Sequence, residues 1–334
     1  MLVENDAKRS GTHLRTGYSA AILTAPGTVE MQPGEIPEPG TGQVRVRLEG
    51  CGVCASNLAP WAGAPWFEYP FPPGDPGHEG WGVIDRIGPG VAGFAEGDRV
   101  ATLSSGSYAT HVVVPAERAI MIPDELAGVP VPGEPLGCVM NIHRRSAIEP
   151  GETVAIIGAG FLGLLLTQLA ARDGARVIAI SRRPSSLHAA ELMGAGMTVP
   201  MDDHWRIIEE VKEATGGVMC DRVIEAVGKQ WPLDLAGELT REGGRMIVAA
   251  EPGVDALEER LPFLLQEGPK QRRRLGSNVD VRGPSLETSG ISGAAREVVI
   301  DGGPDVFQHA ACAHDCFARR RVCAAWHVIA RFGE

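Results

Sequence analysis

Residues 154–163, VAIIGAGFLG, constrain the fold of this chain more than any other stretch. An apolar strand pattern, Val154 to Ile157, runs straight into Gly158, Gly160 and Gly163 and then into the helical pattern LLLTQLAAR. Each glycine has its own physical task. Gly158 permits the tight turn, Gly160 lets the backbone approach a pyrophosphate, and Gly163 lets the helix pack closely on the strand. Phe161 and Leu162 fall in the first helical turn, where a pyrophosphate would sit on free N–H groups. A GxGxxG alone is a weak signal, but a second strand, RVIAIS, follows in the order that a βαβ unit requires. Further strand patterns at MTVPM, DRVIEAVG and RMIVAA alternate with helical patterns near 161–173, 185–194, 203–215 and 231–241. The pattern predicts a doubly wound parallel sheet over residues 148–250.

The preceding stretch has a different rhythm. Short strands AAILTA, QVRVRLEG, WGVIDRIG, RVATL and YATHVVV are split by glycine and proline, which predicts a partly open β-barrel. A helical pattern follows over Gly133 to Ile148, so residues 18–147 form one domain and 1–17 a polar tail. Two domains suit 334 residues, because single cores rarely grow beyond about 250 to 300. The uncharged run Thr153 to Ala171 is divided by glycines and by the switch from strand to helix, so it reads as buried βα rather than a membrane span. A net charge of −11 argues against nucleic acid and against an anionic membrane as partners. Seven cysteines, an odd number, with no export signal imply reduced thiols and a cytoplasmic protein.

Candidate chemistry lies in three places. His78 heads a glycine-punctuated hairpin, GHEGWGVIDRIGPGV, and offers an imidazole nitrogen; Cys54, in GCGVCASN, offers a thiolate; Glu134, in EPLGC, offers a carboxylate. Three such donors with a fourth position open suit a catalytic metal, with Glu79 and Cys138 as rival third ligands. Their wide separation means that only the fold can bring them together. The competing explanation is a buried core cysteine and a hydrogen-bonded histidine.

GVCAS, the GHE hairpin, Gly97-Asp98-Arg99-Val100, EPLGC, GAGFLG and DRVIEAVG occur in an order and spacing that resemble the zinc-dependent medium-chain dehydrogenase/reductase family of alcohol and polyol dehydrogenases, over residues 18 to 250. The resemblance implies an α/β fold, a Rossmann doubly wound parallel sheet plus a GroES-like partly open β-barrel catalytic domain. It implies one catalytic zinc on Cys54, His78 and Glu134, with Glu79 adjacent and able to exchange onto the metal. It further implies that Ser56 relays a proton, that Trp61 and Trp66 line the substrate pocket, and that the chain assembles as a homodimer or homotetramer. The implied substrate is a small-molecule alcohol or polyol, or its carbonyl product. The family's four-cysteine lobe is missing, ATLSSGSYATHVVVP standing in its place, so no structural zinc is expected.

Several features depart from the family or refine it. Asn57 stands where many relatives carry Asp, which removes a carboxylate expected to orient the histidine and weakens zinc affinity. Ala59 takes the place of a relay histidine. At the end of the second Rossmann strand, Ser181 replaces the usual acid and is followed by Arg182 and Arg183, a set that suits a 2′-phosphate and so favours NADP(H) over NAD(H). Two other readings are open: a zinc-free quinone or enoyl reductase of the same superfamily, and a nucleotide-binding protein without catalysis. His143 and His188 sit in helical patterns without evident partners. From residue 251 the periodicity lapses, as in a replaced segment or the product of a reading-frame change; a strand at REVVID, a helix from Asp305 to Ala330 and a solvated basic loop at Lys270 to Arg274 are the features expected there.

Overall fold

The computed structural model describes residues 17–249 and two short strands further on, Asn278–Asp280 and Glu297–Ile300. The chain divides into two compact units, Met1–Ala119 and Ile120–Glu334.

In the first unit, β1 (Tyr18–Ala25) and β2 (Thr28–Gly34) form an antiparallel hairpin. The remaining strands are β3 (Gln43–Gly52), β4 (Glu79–Ile87), β5 (Arg99–Thr102), β6 (His111–Pro115) and, at the boundary, β7 (Ala119–Met121); one short helix, α1 (Leu58–Ala62), lies between β3 and β4. They form a five-stranded sheet in the order β6-β3-β4-β5-β7, in which β3 pairs antiparallel with both β4 and β6. Alternation in QVRVRLEG explains the core: Val44 and Val46 turn inward onto Ile84, Val100, Val112 and Val114. Arg45, between them, faces the other way and is held by Asp85 at 2.8 Å and Glu38 at 2.9 Å. The expected barrel strands are therefore present. β2 had no sequence signature because every residue in it is exposed, so no alternation marks it.

The second unit opens with α2 (Gly133–Ser146). The strands and helices then alternate: β8 (Thr153–Ile157), α3 (Phe161–Arg172), β9 (Arg176–Ser181), α4 (Pro184–Leu192), β10 (Met197–Pro200), α5 (His204–Ala214), β11 (Cys220–Glu225), α6 (Gln230–Leu239) and β12 (Thr240–Val248), followed by β13 (Asn278–Asp280) and β14 (Glu297–Ile300). The sheet order is β10-β9-β8-β11-β12-β14-β13, parallel at every pairing. β8 is an interior strand of it, between β9 and β11, with all five residues buried, as a strand covered on both faces must be. Ala155, Ile157, Ile178, Ile180 and Val223 meet the apolar sides of α5 and α6 on one face. The strand order reverses beside β8, and the crevice outside the carboxyl ends of the strands at such a switch is where ligands bind.

The division between the two compact units falls at Ala119 and Ile120, so α2 goes with the second unit. α2 packs on α3, and its terminal carbonyls are held by arginines of the sheet. Arg222 Nε donates to Ser146 O at 3.0 Å, and Arg245 Nη1 donates to Arg145 O at 3.1 Å. His143 does have a partner, its Nε2 lying 2.8 Å from Asp173 Oδ2 at the end of α3.

The strand expected in REVVID is β14, and β13 falls in a stretch without recognisable period. The N-terminal tail, Lys270 to Arg274 and the helix expected from Asp305 to Ala330 lie outside the described residues. Among the described residues no helix is long and apolar enough to cross a membrane.

Candidate functional site

β3 and β4 carry the candidate metal ligands to one place. The register pairs Gly52 with Glu79 and Cys51 with Gly80, so the end of β3 delivers the Cys54 turn beside the start of β4, and His78 immediately precedes that strand. The ligand atoms of Cys54, His78 and Glu79 all lie within 4.8 Å of one another. Bond lengths of about 2.0 to 2.3 Å place the donors of one tetrahedral ion about 3.5 Å apart, so a small closure would bring the three onto a common ion. A thiolate, an imidazole and a carboxylate form a donor set suited to zinc. Among the described residues this is the only such convergence of three His, Cys, Asp or Glu side chains. Gly52 makes room for it: a Cβ there would stand 1.9 Å from Glu79 Oε2.

Hydrogen bonds orient the ligands. His78 Nδ1 is 2.8 Å from the Pro76 carbonyl, which can only accept; Nδ1 therefore carries the proton and Nε2 of the neutral ring keeps its lone pair. A backbone carbonyl thus orients the imidazole that the family analogy leaves without its carboxylate. Asn57 reaches the same carbonyl, Nδ2 donating to Pro76 O at 3.0 Å, while its Oδ1 accepts from the Cys54 N–H at 3.2 Å and from Tyr108 Oη at 2.8 Å. These partners fix which way the amide faces, since the carbonyl needs a donor and the N–H an acceptor. One side chain thereby ties the thiol turn to the peptide that holds the imidazole. Neither Tyr108 nor Pro76 has a sequence signature for this task.

Burial sets the nearby titrating groups. Cys51, behind the site, is pushed up to about 11 by desolvation, so it stays a thiol at neutral pH. Tyr108 is pushed up to about 12, by burial first and then by its electrostatic neighbours Cys51, Glu79 and Cys54. It therefore keeps the proton that it donates to Asn57.

The other residues of the first unit occupy simpler positions. Ser56 is exposed in the 3-10 turn Ala55–Asn57, two residues beyond Cys54. Trp61 and Trp66 are both about half exposed, Trp66 lying 6.0 Å from the ring of Phe67. Glu134 belongs to the second unit, in the first turn of α2, where its Oε1 accepts from Cys138 Sγ at 3.1 Å.

In the second unit the glycine loop has the geometry that a dinucleotide needs. Gly158 has φ +102°, and a Cβ there would meet Val227 Cγ2 at 2.7 Å; a Cβ at Gly163 would stand 1.9 Å from Gly158 O. Gly160 has open space on its Cβ side, where a pyrophosphate would approach, and Phe161 and Leu162 begin α3 just beyond it. Ser181 is buried at the carboxyl end of β9, and Arg182 and Arg183 follow, both exposed. One further residue at this edge went unmarked in the sequence: Glu225, the last residue of β11, is fully buried.

Two family models match the chain. One describes an alcohol dehydrogenase GroES-like domain and covers residues 40–124; the other describes a zinc-binding dehydrogenase and covers residues 162–277, so the likeness continues past residue 250. An alcohol dehydrogenase of Geobacillus stearothermophilus is 30% identical over 257 residues, which cover 67% of this chain and 74% of that protein. The fold is shared with a quinone oxidoreductase from Pseudomonas syringae pv. Tomato DC3000, with a TM-score of 0.69, 20% identity, and 92% of this chain and 89% of that chain covered. It is shared too with a mycobacterial protein complexed with NADPH, with a TM-score of 0.65, 21% identity, and 90% and 88% covered. With the barrel strands, the doubly wound sheet and the two matched domains together, the chain belongs to the zinc-type medium-chain dehydrogenase/reductase family of oxidoreductases.

Proposed function

We propose that this oxidoreductase uses zinc and NADP(H) to interconvert an alcohol or polyol and its carbonyl product. The observation that carries this reading is the meeting of Cys54, His78 and Glu79 within 4.8 Å. An alcohol dehydrogenase as a 30% identical relative supports it. Zinc, when bound, supplies Lewis acidity toward an alcohol or carbonyl oxygen. The chain's own residues do the rest. Cys54 Sγ and the His78 ring would supply the thiolate and imidazole, and the Pro76 carbonyl, shared by His78 Nδ1 and Asn57 Nδ2, ties the ring to the Cys54 turn. Ser56 Oγ, exposed in the Cys54 turn, would relay the alcohol proton, accepting it while releasing its own to water, and a bound nicotinamide would supply the hydride-accepting chemistry. Trp61 and Trp66 offer apolar surface for the substrate's carbon skeleton.

For the cofactor, Gly158, Gly160 and Gly163 with the start of α3 accept the pyrophosphate. Ser181, Arg182 and Arg183 receive a 2′-phosphate through one hydroxyl and two guanidinium groups. The mycobacterial structure with NADPH supports that choice.

Metal analysis of the purified protein with a fluorescence titration by NADPH tests the proposal. The expected result is about one zinc per chain, lost together with turnover in Cys54→Ala and His78→Ala. Binding of NADPH with no zinc, and turnover of a quinone or enone that resists chelators, would replace this reading with the zinc-free reductase. Binding of NADPH without turnover on any alcohol or carbonyl would leave a nucleotide-binding protein. Parallel zinc analysis of Glu79→Ala and Glu134→Ala decides which carboxylate completes the ligand set.

A further inference from the structure

Among the described residues, Glu225 is the one acidic side chain in the set of largest fully buried side chains, and it stands at the carboxyl end of β11, level with Ile157 of β8 and Val248 of β12. An isolated carboxylate in such a place is costly unless hydrogen bonds compensate it. Here they come from its own chain: Oε1 accepts the N–H of Val227 at 2.7 Å and that of Gly228 at 3.0 Å, and Oε2 lies 3.3 Å from the Gly228 nitrogen. The main chain is pinned on both sides, Ala226 N–H donating to Ile157 O at 2.8 Å and Ala249 N–H to Glu225 O at 2.8 Å.

The turn so folded is pressed against the glycine loop. An ideal Cβ at Gly158 would lie 2.7 Å from Val227 Cγ2 and 3.0 Å from Ala226 O, and Gly158 O is itself the atom that Gly163 packs on at the start of α3. Carboxylate, turn, Gly158 and helix N-terminus thus form one continuous stack. We propose that Glu225 is a positioning residue for the nucleotide loop: by gathering the N–H groups of Val227 and Gly228, its carboxylate holds residues 226–228 against Gly158 and sets where the pyrophosphate-binding backbone lies. This inference rests on the second unit being the NADP(H)-binding one. Glu225 reaches no cofactor atom in this role; it acts through the turn.

The test uses the full-length protein and two measurements, amide hydrogen exchange over residues 158–162 without cofactor and the Kd of NADPH by fluorescence titration. Glu225→Asp withdraws the acceptor by one methylene and should speed exchange in the loop and raise the Kd about tenfold, the scale of one lost hydrogen bond. Glu225→Gln keeps an acceptor oxygen at the same reach and should stay within about twofold of the parent in both measurements. An Asp variant indistinguishable from the parent overturns the inference, and so does a Gln variant as impaired as the Asp one, because charge rather than reach would then matter. Should the Asp variant fail to fold, Val227→Ala removes the methyl groups that press on Gly158 while sparing the carboxylate; unchanged exchange at residues 158–162 in that variant likewise overturns it. If the parent binds no NADPH, the cofactor assignment fails by itself, and the exchange measurement still decides what Glu225 does for the loop.

Discussion

At the scale of single residues, the site depends on groups whose value lies in what they leave free. The Pro76 carbonyl accepts a hydrogen bond from His78 Nδ1–H and so leaves the Nε2 lone pair free, and Asn57 ties that carbonyl to the Cys54 turn. Replacing Asn57 by Ala should lower zinc affinity about 10- to 100-fold, the usual effect of removing a group that orients a ligand. Competition titration with a chromophoric chelator measures this, and an unchanged affinity would strip Asn57 of the role. Glu225 makes a separate prediction in pH. Burial raises its carboxyl from 4.5 to about 7. Because the folded value lies above the unfolded one, its contribution to stability is full below about pH 4.5 and is lost as pH rises through about 7, amounting to about 3 kcal/mol. Glu225→Gln should flatten the fall in melting temperature across that window, and thermal denaturation at pH 5 and pH 8 shows whether it does.

At the scale of elements, the strand-to-helix junctions do most of the positioning. β3 and β4 run antiparallel with Gly52 opposite Glu79, and that register brings two chain segments over 20 residues apart to one cluster. β8, Gly158 and α3 make the corresponding junction in the second unit, and β9 ends on Ser181 just before the two exposed arginines. Arg182 and Arg183 make no claim on the sheet, so Arg182→Ala and Arg183→Ala should leave the fold intact. They should raise the KM for NADPH at least tenfold while changing that for NADH little. Steady-state kinetics with both cofactors measure the difference, and equal effects on the two would end the assignment of a 2′-phosphate site.

At the scale of the whole molecule, each of the two compact units carries its own candidate feature: the Cys54, His78 and Glu79 cluster in the first and the glycine loop in the second. Much of this is present in the amino-acid order alone. Glycines at 158, 160 and 163 between an apolar strand and a helical pattern, followed by further alternating strands and helices, suit turn, ligand approach and helix packing together, so the parallel sheet and its helices are legible from local pattern. Alternation in QVRVRLEG likewise reveals a half-buried strand, whereas the wholly exposed β2 leaves no such trace. Other features required the tertiary structure. Glu79 rather than a more distant group lies with Cys54 and His78 because strand register, which no local pattern encodes, decides which side chains meet. The partnership of Asn57 with Pro76 and Tyr108 joins residues 19 and 51 positions apart. The burial of Glu225 depends on neighbours in β8 and β12, so its environment is a property of the assembled sheet. Sequence determines periodicity and backbone permission, which are local; hydrogen-bond partners and desolvation are set by whatever folding brings alongside.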